Sequence, residues 1–149
     1  MQIVCNLSPG EGPSNWLRRS RTLGLAIKAI LDAQVAINRL YLSLHDVPPI
    51  YSSGIRYENE PPWKFQGKVV EEFATIPVIL ARGWDDCDGI APWRVAELQH
   101  HGEHAKIRIQ WKHHRKPDGS RGRKYFHIVV RRGNGDIEDP CAKLGMHDK

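Results

Sequence analysis

Residues Arg82-Gly83-Trp84-Asp85-Asp86-Cys87-Asp88-Gly89-Ile90-Ala91-Pro92-Trp93-Arg94-Val95-Ala96-Glu97-Leu98 set the reading of this chain. A loop rich in Gly and Asp delivers one cysteine to the start of a helical pattern. Asp85 or Asp86 serves as the N-cap. Ile90, Ala91, Val95 and Leu98, with Trp93, supply the buried side, and the helix is expected to reach about His101, with Gly102 as its stop. The start of a helix carries a partial positive charge and unpaired backbone N–H groups. A thiol there is easier to ionise, and the thiolate is the nucleophilic form. The same N–H groups suit the oxyanion formed when sulfur attacks a carbonyl. Cys87 is therefore the candidate nucleophile. Gly89 and Pro92 argue for an irregular first turn, because Pro92 has no N–H for the Asp88 carbonyl. Asp86 and Asp88 raise a thiol pKa if they face it, so they must point away or cap the helix.

Upstream, Thr75 caps a short helix over 75–83, with Pro77 in its first turn and Gly83 just past its end. Residues 63–73 show little pattern beyond a helical turn expected at 68–73. Residues 50–62 read as extended, with Ile55 and Tyr57 as the apolar points. Before them a long helix runs from an N-cap at Ser14 to about Leu44. Leu23, Ala26, Ile27, Ile30, Ala33, Ile37, Leu40, Tyr41 and Leu44 recur at three- and four-residue steps and read as a core-facing stripe. The Gly- and Pro-dense run 8–13 marks the N-terminal region, 1–15, as a loop.

Downstream the period changes to two. Residues 105–111 place Ile107, Ile109 and Trp111 on one face. Residues 124–131 form a second strand and 136–140 a third, joined by the turn 132–136. The tail, 142–149, is expected to cover one end. The fold class is α+β: N-terminal helices on a small antiparallel sheet, in a single domain over 16–149. Its long helix spans about 16–45 and its core 50–146.

A thiolate nucleophile needs a base, and the base an orienting group. Of eight histidines, His127 alone sits within an apolar strand, its side chain opposite Phe126, Ile128 and Val130. What lies beside it depends on the turn. A two-residue Asn134-Gly135 loop pairs Gly133 with Asp136 and presents Glu138. A three-residue loop, 133–135 with Gly135 left-handed, pairs Arg132 with Asp136 and Val129 with Asp139. Asp139 then lies diagonally across from His127, within reach of a side-chain hydrogen bond. Cys87, His127 and Asp139 form a triad only in the second register.

Composition bounds the partners. The formal net charge is +5, and the basic residues of the last third (Lys106, Arg108, Lys112, Arg121, Arg131 and their neighbours) allow phosphate contacts, so nucleic acid is a possible partner but not the favoured one. Cys5, Cys87 and Cys141 are odd in number and widely spaced, which does not read as a disulfide framework. Cys141 could pair with Cys87 if the two approach. No secretory signal or membrane span is read, and a reducing, cytoplasmic setting is expected. His100, His101, His104, His113 and His114 raise the alternative of a metal site. Gly102 breaks their helix and no recognised ligand spacing joins them, so no metal and no cofactor are expected.

The order of a Cys at a helix start, a His on a strand and an Asp about a dozen residues later resembles the transglutaminase-like branch of the papain-like cysteine peptidase superfamily. It is most similar to small transglutaminase-like proteins of bacteriophages and prophages. The matching stretches are Ile76-Pro77-Val78-Ile79-Leu80-Ala81-Arg82-Gly83, the 83–89 loop, Trp93-Arg94-Val95-Ala96-Glu97-Leu98, and Ile137-Glu138-Asp139-Pro140-Cys141-Ala142-Lys143-Leu144-Gly145-Met146. The resemblance covers about 55–146, poorly between 100 and 124. It implies a papain-like/transglutaminase-like core. It also implies acyl transfer on a protein or peptide substrate, with Cys87 as nucleophile, His127 as base and acid, and Asp139 orienting His127. Trp84 and Gln66 are candidates for a second oxyanion donor beside the Cys87 N–H. Phage structural proteins become possible partners, and host cytoplasm or virion the setting. The competing expectation is an inactive virion-structural or nucleic-acid-binding protein that uses the basic C-terminal strands.

Overall fold

The computed structural model describes residues 2–5, 16–61, 63–65 and 68–147. Helices and three small sheets alternate along the chain, an α+β arrangement. Strand β1 (Gln2–Cys5) stands inside the expected N-terminal loop and pairs antiparallel with β4 (Lys68–Ala74), which also pairs with β3 (Trp63–Phe65). A helical turn was the expectation for 68–73. Val69, Val70 and Phe73 have helix-like spacing, but strands on both sides of β4 satisfy its backbone, and tertiary pairing overrides a short local pattern. Strands β2 (Arg56–Tyr57) and β5 (Trp84–Asp85) form a two-stranded parallel pair. Strands β6 (Lys106–Arg115), β7 (Arg121–Arg131) and β8 (Ile137–Glu138) form the third sheet, antiparallel throughout.

Helix α1 (Trp16–Leu44) begins beyond Ser14, which lies outside the described residues. Its buried stripe is Ile27, Leu31, Gln34, Val35 and Asn38, whereas Ala26, Ala33, Leu40 and Leu44 are exposed. Of the expected stripe, Ile27 is buried and Leu23, Ile30 and Tyr41 pack against the cores; Leu31, Gln34, Val35 and Asn38 extend it on one side, and two of these are amides. Gln34 Nε2 donates to the Ala74 carbonyl, and Asn38 Oδ1 accepts the Ile76 N–H at 3.0 Å. These side chains latch α1 to the start of α2 (Ile76–Arg82), satisfying backbone groups that would otherwise be buried unpaired. Gly83 ends α2 in the left-handed conformation, φ 78°, as its position after Arg82 predicts.

Helix α3 (Cys87–His100) passes through the middle of the molecule and is buried around most of its circumference. Ala91, Val95, Ala96 and Leu98 face a core shared with α1, β6 and β7. Ile90 and Trp93 face a second core shared with Ile50, Ile55, α2 and Cys141. Pro92 is tolerated inside the helix, which runs on to His100 with His101 as its C-cap. A helix enclosed on both sides is held by packing more than by its own hydrogen bonds.

Candidate functional site

Cys87 is the first residue of α3. Asp86 is the N-cap, its side chain accepting the Asp88 N–H at 3.1 Å. Asp85 is spent elsewhere: one of its oxygens takes the Asp86 N–H at 2.9 Å and an Arg82 Nη2 donor. The half-buried Cys87 side chain packs against both cores, and the backbone N–H of Ile128, next in sequence to His127 on β7, favours its thiolate form. β8 covers β7 only as far as the Val130–Glu138 pair.

The turn takes the three-residue register. Arg132 N–H donates to the Asp136 carbonyl at 2.8 Å, Gly135 N–H to the Arg132 carbonyl at 3.0 Å, and Gly135 has φ 94°. Glu138 therefore points away from His127, into a buried ionic knot. Arg94 Nε donates to it at 2.8 Å, Arg132 Nη1 at 2.6 Å and Lys143 Nζ at 3.3 Å, and Tyr51 donates its hydroxyl. Glu97 shares Arg94 at 2.6 Å. Burial alone would raise the Glu138 pKa, but bonds from Arg94, Tyr51 and Arg132 bring it down to about 2.

Asp139 ends the strand instead of continuing it. The third strand was expected to run to about residue 140. Pro140 cannot extend a ladder but suits the first turn of a helix, and α4 (Pro140–Lys143) starts there with Asp139 as N-cap. One Asp139 oxygen accepts the Cys141 and Ala142 N–H groups at 3.1 and 3.3 Å; the other meets His127 Nε2 at 2.7 Å. Burial works against the charge on Asp139, but the His127 bond and the two backbone donors hold its pKa below the ordinary value. Because Asp139 engages Nε2, Nδ1 is the nitrogen left for a proton from elsewhere. His127 is 6% exposed, so its ring has little freedom to leave this partner.

The Cys87 thiol is not pre-ionised. Burial, then the charges of Asp86, Cys141 and Asp88, push it well above the ordinary thiol value, and the Ile128 N–H only partly offsets them. Desolvation and acidic neighbours outweigh the help of the helix start, so proton removal falls to a base.

Of the two oxyanion candidates, Gln66 lies outside the described residues. Trp84 is engaged by Arg82, which stacks over its indole at 4.3 Å and donates to its carbonyl at 2.9 Å. The Asp86 cap leaves the Cys87 N–H itself as a donor at the helix start. Tyr57, noted from the sequence only as an apolar point, stands close enough for the Cys87, Asp86 and Asp139 charges to act on its phenol. Its hydroxyl donates to Asn59 at 2.6 Å. Cys141 is a buried free thiol of the second core.

His100, His101, His104 and His113 are exposed and enter no metal-sized group among the described residues. Carboxylates assemble instead: ligand atoms of Glu60, Asp85 and Asp88 lie within 4.8 Å of one another. Burial and mutual repulsion push Glu60 up to about 8, and burial pushes Asp85 up to about 7 against the pull of Arg82. No described helix is long and apolar enough to cross a membrane. No family model, curated protein or solved structure matches the chain.

Proposed function

We propose that this chain performs cysteine-dependent acyl transfer on a protein or peptide substrate, on a papain-like, transglutaminase-like core. The observation that carries the reading is the His127 Nε2–Asp139 Oδ2 pair at 2.7 Å, with His127 beside Ile128, whose backbone N–H favours the Cys87 thiolate. In this mechanism the thiol proton passes to His127 Nδ1 as sulfur attacks the carbonyl carbon. Asp139 fixes the ring and stabilises the imidazolium that forms. The oxyanion rests on the Cys87 N–H. Collapse expels the amine, which takes the proton from His127 and leaves a thioester. Water or a second amine then attacks that thioester, His127 accepting its proton; the C–S bond breaks, His127 returns the proton to the Cys87 sulfur, and the acid or the new amide leaves. A protonated resting thiol makes His127 a true general base here, not a bystander to a preformed thiolate.

The test is a thiol-directed activity probe on the wild type, Cys87→Ala and His127→Ala. Labelling should vanish in Cys87→Ala and slow at least about 100-fold in His127→Ala, the range general-base assistance supplies. Equal labelling of all three would sink the triad.

A second reading has an observation of its own. Lys106, Arg108, Arg115, Arg121 and Arg131 are all exposed on β6 and β7, a surface suited to phosphates. An inactive nucleic-acid-binding or virion-structural protein would retain DNA in a salt-dependent way with no Cys87 chemistry.

A further inference from the structure

The charges around the loop before α3 do not balance. Glu60, Glu72 and Asp85 all pair with the single guanidinium of Arg82: Nη1 reaches Glu72 at 3.0 Å, and Nη2 serves both Glu60, at 3.4 Å, and Asp85. Asp86 and Asp88 add two more carboxylates. Buried charges persist when paired or when they coordinate a metal.

Two of these carboxylates also carry bare oxygens. Asp85, fully buried, spends one oxygen on Arg82 and the Asp86 N–H, while its other, Oδ2, has no hydrogen-bond partner. Asp88 is 2% exposed, and its Oδ1 is likewise buried without a partner. Leaving such groups unmatched is costly. Asp85 Oδ2 packs directly on the backbone of α3: a Cβ on Gly89 would fall 1.7 Å from it. Only glycine at 89 lets that oxygen lie where it does.

We propose that Glu60, Asp85 and Asp88 bind a divalent cation of the hard, oxygen-seeking class. All three ligands are carboxylates, which suit Ca²⁺, Mg²⁺ or Mn²⁺ and not the softer metals. Their atoms lie within 4.8 Å of one another, a spread that an ion with oxygens at about 2.3–2.6 Å can span, which favours Ca²⁺ over the smaller Mg²⁺. Arg82, paired with Glu60 and Asp85, is the fixed positive partner. The ion supplies the second positive centre and takes up the bare oxygens. The proposal does not rest on the Cys87 chemistry, although Asp88 is the next residue to Cys87 in α3.

The test uses the full chain stripped with chelator. Tb³⁺, a Ca²⁺ surrogate, should luminesce on indole excitation, because Trp84 adjoins Asp85 in sequence. Ca²⁺ should displace it. Ca²⁺ at a hundredfold excess over Kd should raise Tm by about 5–10 °C. Asp88→Asn and Glu60→Gln should each weaken Tb³⁺ binding at least tenfold while remaining folded in chelator. Asp88→Asn serves as the guard against a folding defect, since its side chain takes no part in the Arg82 ion pairs. Absence of both signals up to about 10 mM Ca²⁺, Mg²⁺ or Mn²⁺, above the weakest protein sites, would overturn the proposal. So would Tb³⁺ binding unchanged in both variants.

Discussion

Asp139 carries two loads on its two oxygens. Oδ1 caps α4 through Cys141 and Ala142, and Oδ2 holds His127. Removing it should therefore do two separable things. Asp139→Ala loses the cap and leaves a buried imidazole nitrogen without its partner, for a combined cost of about 2–4 kcal/mol in urea unfolding. Asp139→Asn keeps a capping oxygen and should cost less than half as much. Both variants should lose Cys87 labelling together with the orientation of His127. If Asp139→Asn labelled at the wild-type rate, the charge on Asp139 would have no part in the site.

At the scale of elements, the amide latches of α1 make a prediction that runs against hydrophobicity. Asn38→Leu puts an apolar side chain into a core-facing position and removes an unpartnered buried Nδ2. It also strips the buried Ile76 N–H of its acceptor. The second effect should win, with a net loss of about 1–2 kcal/mol by urea denaturation. A stabilised variant would show that α2 needs no latch. The same residues show why the sequence was only partly legible. Period found α1 and the β6–β7 pair, and caps and stops found α2 and, with period, α3. On α1 period caught Ile27 with Leu23, Ile30 and Tyr41 but left out Gln34 and Asn38, because it scores amides as solvent-facing. It could not choose the turn register, because Glu138 is gripped by Arg94 on α3, far from the hairpin in sequence, as well as by Arg132 of the turn itself. The Asp139-Pro140 step, an N-cap followed by a first-turn proline, was a readable helix start that the strand reading passed over. Glu60 is more than twenty residues from Asp85, and nothing local links them.

Across the whole molecule, two sets of carboxylates are tuned in opposite directions, and stability should follow both. Glu138 falls from 4.5 to about 2 on folding. Its ion pairs contribute fully above about 4.5, and that contribution is lost as pH falls toward 2. Glu60 rises from 4.5 to about 8 and Asp85 from 3.8 to about 7. Their contribution is complete below the ordinary carboxylate range and is lost as pH rises through 7 to 8. In chelator, the urea midpoint should therefore peak in mildly acidic solution, near pH 5, and fall on either side. A midpoint that stays level from pH 5 to 9 would contradict the upward shifts.

The fit of Asp85 over Gly89 reaches beyond stability into heredity. Residue 89 cannot acquire a side chain while Asp85 keeps its place, and Asp85 keeps its place through Arg82. Positions 82, 85 and 89 are thus bound into one mutational unit. In a randomised library selected only for folded protein, alanine at 89 should survive in company with a shorter residue at 85. Glycine at 89 should stay fixed wherever the aspartate is kept.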